Sequence, residues 1–161
     1  MTKVILIAAL LSATFAPPAQ RNDNWPTVQV CHITLRIPTN LKRNGREGID
    51  SCIAEFEKRD LLLSIDYGWY GGAAKKSDVT VDFKEQPFSI GGKTGTLATY
   101  IDDSLYARKH PERKYVAHLH VVVHQGPSDS PMKTSLMITI RGRTAKQLEI
   151  GSRILATIRF D

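Results

Sequence analysis

The tripeptide His118-Leu119-His120 is the stretch whose residue types and spacing come nearest to a piece of chemistry. On a β-strand, residues two apart point the same way, so both imidazoles would share one face. That geometry suits two ligands of one zinc or copper ion, at Zn–N distances of about 2.0–2.1 Å. His124 shares the face but stands about 13 Å further on at about 3.3 Å per residue, too far for the same ion without a bulge. A third ligand would come from His32, His110 or a carboxylate on a neighbouring strand. The competing reading, which carries more weight, is a half-polar sheet face that tolerates histidine beside Val116 and Val122.

Basic side chains are the next chemical feature. They fall in separate connections: Lys42, Arg43 and Arg46; Lys75 and Lys76; Arg108, Lys109, Arg113 and Lys114; and Arg141, Arg143 and Lys146. Gathered by the fold, Lys75, Lys76, Arg108, Lys109, Arg113 and Lys114 would make an anion-binding surface for an acidic polymer. Scattered, they are solvated loops, the favoured reading. Asp66 and the pair Asp102-Asp103 are carboxylates without an evident partner, and read as an outer-face residue and a turn or cap. The run Gly91-Gly92-Lys93-Thr94-Gly95 is no phosphate loop, because Pro87 stands where the Walker pattern needs glycine; a hairpin turn fits. No G-x-S-x-G, H-E-x-x-H or C-x-x-C pattern occurs, so an enzyme is not the favoured reading. Tyr67-Gly68-Trp69-Tyr70 would form either a small stacking patch or a plug at the end of the core.

Compartment is more legible than activity. Lys3, an apolar run from Val4 to Ala16 and the small residues and prolines before Gln20 have the pattern of a secretory signal peptide over residues 1–19. The run is shorter than the roughly 20 residues a spanning helix needs. We therefore expect export to a periplasmic or extracellular space, with residues 20–161 as one domain lacking a membrane span. The two cysteines, Cys31 and Cys52, allow one intramolecular disulfide, as an oxidising compartment favours. Loss of Lys3 would take the formal charge from +6 to +5, a moderate basicity that suits a protein or anionic-polymer partner. Nucleic acid is not an expected partner for an exported chain.

Those residues must be positioned by strands. Cys52–Glu57 and Leu61–Tyr70 alternate and flank the polar turn Lys58-Arg59-Asp60, predicting a hairpin. Val28–Ile37 reads as one strand ended by Pro38, and Leu41–Gly48 as a basic turn. Val79–Lys84, Phe88–Ile90, Thr94–Ile101, Lys114–Gln125 and Ser135–Arg141 read as further strands. Asp102–Arg113 reads as a charged connection and Gly126–Pro131 as a loop. From Thr144 the period changes: Leu148, Ile150, Gly151, Ile154, Leu155 and Ile158 fill one helical arc, behind a Thr144/Gln147 capping box. The class is α+β: a largely antiparallel sheet of about seven strands with a C-terminal amphipathic helix on one face.

On the run IPTNLKRNGREGIDSCIAEFEKRDLLLSIDYGWYGG, the block ending GGKTGTLATY, the strand YVAHLHVVV and the terminal ILATIRF, the chain resembles small exported bacterial proteins of unassigned function with a PsbP-like α/β sandwich layout. The resemblance implies the sandwich and no site residue. The chain departs from that layout in having little helix before its C-terminus, which implies one less-covered sheet face. The expectation is an exported non-enzymatic binding or structural module, with His118/His120 metal binding as the alternative and no cofactor otherwise.

Overall fold

A computed structural model describes residues 24–45, 48, 50–69, 71–125 and 133–161. The expected signal peptide, Arg46, Tyr70 and the loop 126–131 lie outside the described residues. Among the described residues, ten strands and two α-helices run in the order β1 (Thr27–Val30), β2 (Ile33–Arg36), β3 (Lys42–Asn44), β4 (Ser51–Lys58), β5 (Leu61–Gly68), β6 (Thr80–Ile90), β7 (Lys93–Asp102), α1 (Leu105–Lys109), β8 (Tyr115–Gln125), β9 (Lys133–Gly142), α2 (Ala145–Leu155) and β10 (Arg159–Phe160). A 3₁₀ turn, Pro111–Arg113, follows α1.

Seven strands form one sheet in the order β3-β4-β5-β9-β8-β7-β6. Every pairing in it is antiparallel. Alternation gives this sheet two unlike faces. One cross-strand row runs Leu97, Leu119, Ile138, Ile65, Ala54, and all five side chains are buried. This inner face is closed by α2 and by a second sheet, β1-β2-β10. Helix α2 lies close: a Cβ added at Gly151 would come within 2.6 Å of Ile140 Cδ1. Its first turn is fixed by Gln147, whose Oε1 accepts from the Thr144 amide at 3.0 Å and whose Nε2 donates to Asp60 in the β4–β5 turn.

Four readings change. The segment Val28–Ile37 is a hairpin, not one strand: it reverses at Cys31-His32, where Cys31 takes φ +59°. No glycine or asparagine marks that turn; instead Cys31 is bonded to Cys52 at the start of β4, with Cα atoms 5.5 Å apart. Lys42–Asn44 is an edge strand rather than part of a turn. The two short strands before Gly91 are one long edge strand, β6, in which Pro87 is tolerated because an edge residue can do without a ladder donor. The helix stops at Leu155, and Arg159–Phe160 instead pairs with β2. The Gly91-Gly92 turn is a hairpin, with φ of +51° and +77°.

The outer face is crossed twice. Strand β5 sits mid-sheet and β6 at its far edge, so the chain must pass over β9, β8 and β7 between them. It does so with Gly71 against Met137 and Ser135. The short connection from β7 to β8 carries α1 and the 3₁₀ turn over the end of β5 and β9. Connecting segments therefore lie over part of this face, and many of its residues, among them Ser64, Asp66 and Thr139, are half-buried.

Candidate functional site

His118 lies beneath the first crossing. Its row on the outer face runs Ala98, His118, Thr139, Ser64, Glu55, Asn44. The Gly72 carbonyl is 3.0 Å from Nε2 and can only accept, so Nε2 carries the proton. The deprotonated Nδ1 then accepts from the Thr139 hydroxyl at 3.0 Å. Burial pushes the His118 pKa below the ordinary imidazole value of 6.5; the Gly72 bond opposes this and the Arg141 charge adds to it. His120, one row on, has Nε2 3.2 Å from Ser135 Oγ and is also lowered, by burial and then by His118.

The structure thus brings His118 and His120 to one face but not the other metal donors considered above. His32 packs on Tyr67 at 5.1 Å, His110 pairs with Glu112 at 3.4 Å, and His124 lies beyond a register shift after Val122. Among the described residues, no group of three or more His, Cys, Asp or Glu side chains could hold a metal ion.

Several basic residues are engaged with carboxylates. Arg113 bonds Glu57 at 2.8 Å, Arg108 bonds Asp103 at 3.1 Å, and Arg141 bonds Asp102 at 2.7 Å while lying over the Tyr106 ring at 4.9 Å. Lys114 lies over Tyr115. Lys75, Lys76 and Lys109 are exposed. Asp102 is buried, which opposes its ionisation; the Arg141 guanidinium and two bonds from Ser104 outweigh that and hold its carboxyl below the usual range. Asp102 makes a turn bond ahead of α1, accepting from the Ser104 amide at 2.9 Å, while Ser104 itself is the helix N-cap; the pairing of Asp102 with Arg141 has no local signature. Asp66 is on the outer face as expected, and Trp69 is 55% exposed.

A concave site lies on the other side of the sheet, where β1 passes the β3–β4 edge. It is a groove of about 430 Å³ walled by Pro26, Val28, Ile37, Pro38, Leu41 and Phe56. Its polar lining is Gln29, Thr39 and Arg43. The walls hold their shape through two backbone bonds, Ile37 N–H to Pro26 O at 3.2 Å and Leu41 N–H to Pro38 O at 3.0 Å. Arg43 is opposite Phe56 in the ladder, so its side chain belongs to the inner, apolar face, while Lys42 and Asn44 belong to the outer one. Among the described residues Arg43 makes no ion pair.

No family model, curated protein or solved structure matches the chain. Its chemistry therefore has to be argued from these two sites. The groove was missed from sequence because residues 41–48 read as a turn; the available signal was the alternation Leu41, Lys42, Arg43, Asn44, which puts Arg43 with the apolar set once it is a strand.

Proposed function

We propose that this protein is an exported, non-enzymatic binding module of the bacterial envelope or extracellular space, and that its binding site is the groove between β1 and the β3–β4 edge. The groove carries the reading: about 430 Å³ falls within the roughly 300–1,000 Å³ of small-molecule sites, and its walls combine apolar side chains with the polar groups of Gln29, Thr39 and Arg43. The Cys31–Cys52 disulfide supports an oxidising destination. The seven-stranded sheet with α2 and the small sheet on its inner face supports the PsbP-like sandwich as the finer fold. The test is expression of the whole chain in a bacterium, with fractionation and intact mass. Recovery outside the cytoplasm without residues 1–19, and with one disulfide, is expected; a full-length, reduced cytoplasmic product defeats the export half of the proposal.

A second reading rests on a different observation, two imidazoles held uncharged on one sheet face. Neutral imidazole is the form that ligates zinc or copper. Metal would have to compete with the Gly72 carbonyl for His118 Nε2. Elemental mass spectrometry of tag-free, chelator-free protein decides: about one ion per chain, absent from the His118→Ala/His120→Ala variant, favours this reading.

A further inference from the structure

The polar content of the groove specifies more than an apolar ligand. We infer that it takes a medium-chain carboxylate, whose apolar body lies between Val28, Leu41 and Phe56 and whose carboxylate meets the Arg43 guanidinium; the inference rests on the groove being the binding site.

Residue 43 shares its cross-strand row with Phe56, Leu63, Ile140 and Ala117, all buried and apolar. A guanidinium is always protonated, and at the exposed end of such a row it can exchange water for the carboxylate of a ligand whose body lies in the groove. Arg43 is an exposed member of the groove lining, and among the described residues no carboxylate lines the walls. Among the described residues, the acidic residue bound to a lining side chain is Asp161, whose Oδ2 accepts from Gln29 Nε2 at 3.0 Å; that bond engages Gln29, not Arg43. Arginine presents a planar fork that matches a carboxylate with two parallel N–H···O bonds. The described groove lining holds one cation, Arg43, which matches one negative charge on the ligand. The Thr39 hydroxyl is a further donor at the same rim. The rest of a ligand meets proline, valine, isoleucine, leucine and phenylalanine, which favour an aliphatic chain over a sugar or a peptide rich in polar groups.

The test titrates the oxidised protein with octanoate, octanol and octyltrimethylammonium, following amide resonances and fitting Kd, in the wild type and in Arg43→Gln. Arg43 is exposed, so the variant should fold. Octanoate is expected to move the Val28, Leu41 and Phe56 resonances and to bind about tenfold more weakly to Arg43→Gln, while octanol binds both proteins alike. Val28→Trp, which fills the groove, is expected to abolish both. Equal affinity for octanoate and octanol, unchanged in Arg43→Gln, overturns the carboxylate inference and leaves the groove as the binding site. Tighter binding of the ammonium compound overturns it too. If none of the three moves a groove resonance, the inference and the proposed site fall together.

Discussion

The same strands make both faces of the seven-stranded sheet, yet the faces are closed by different means. On the inner side Leu63, Leu119, Leu136, Ile138 and Ile140 are fully buried under α2 and the small sheet. Contact there is apolar and non-directional, so stability follows area removed from water. On the outer side the covering segments are held by specific bonds: His118 to Gly72, Gly72 N–H to Met137 Sδ at 3.1 Å, Arg113 to Glu57 and Arg141 to Asp102. A regular α/β layer leaves its polar face to water; here connecting segments must cross that face because β5 and β6 are far apart in the sheet. The crossing converts side chains that would be solvated into partly buried ones needing partners.

The comparison predicts its own largest effect. Ile138→Ala removes a side chain at the centre of the inner face and should destabilise by about 4 kcal/mol, as large-to-small core changes do. Met137→Ala, its neighbour on the outer face, should lose clearly less. Urea unfolding of the two variants checks this; equal losses would mean that the faces contribute alike.

Next comes the disulfide, which pins the β1–β2 turn to the inner-face end of β4. Cys31→Ser/Cys52→Ser opens a loop with sequence separation 21 and should destabilise by about 3 kcal/mol in the chain-entropy account. Thermal unfolding with and without reductant should show the wild type falling to the variant, and the variant unmoved.

How much of this was visible in the sequence depended on where the partner lay. Strands β4, β5, β8 and β9 were legible, with their faces, because runs such as Leu61-Leu63-Ile65 and Ala117-Leu119-Val121 alternate without ambiguity, and β7 was legible as a strand. The cysteine pairing was legible because only one pairing exists. The reversal at Cys31 was not, since neither Cys31 nor His32 is a turn-forming type and the positive φ is set by tertiary structure. Strand β10 was hidden by an apolar run that also suits a helix. Candidate-site contacts were hardest. The bond from His118 to Gly72 spans 46 residues and Arg141 to Asp102 spans 39, and neither pair has a local signature.

On the outer face the largest single effect should come from Asp102→Ala. It leaves Arg141 without its carboxylate, and breaking buried ion pairs commonly destabilises by about 3–5 kcal/mol. Arg141 keeps 20% side-chain exposure, so water recovers part of the loss and about 2 kcal/mol is expected. Chemical unfolding of Asp102→Ala against Asp103→Ala, whose partner Arg108 is exposed, measures the difference; similar losses would show that burial of Asp102 adds nothing.

The smallest effect is also the most specific to the crossing segment. His118 is held neutral in the fold, below the ordinary value of 6.5, by burial first and the Arg141 charge besides, with the Gly72 bond opposing. Between the folded and unfolded pKa values the unfolded chain binds more protons, so stability rises with pH there. The contribution is present in full above about 6.5 and is lost as pH falls through the folded value. His120 adds a change of the same sign, whereas the lowered Asp102 carboxyl acts only at pH below its ordinary 3.8. The urea midpoint of the wild type should therefore fall between about pH 7 and pH 5, and that of His118→Gln should fall less. Amide protection factors at Gly72 and its neighbours, taken relative to the intrinsic rate at each pH, should fall over the same range, because protonation at Nδ1 removes the acceptor for the Thr139 hydroxyl and puts charge beneath the segment. A wild-type midpoint that is flat with pH would mean that the partly buried imidazole is charged and solvated, and that Gly72 is held by Met137 instead.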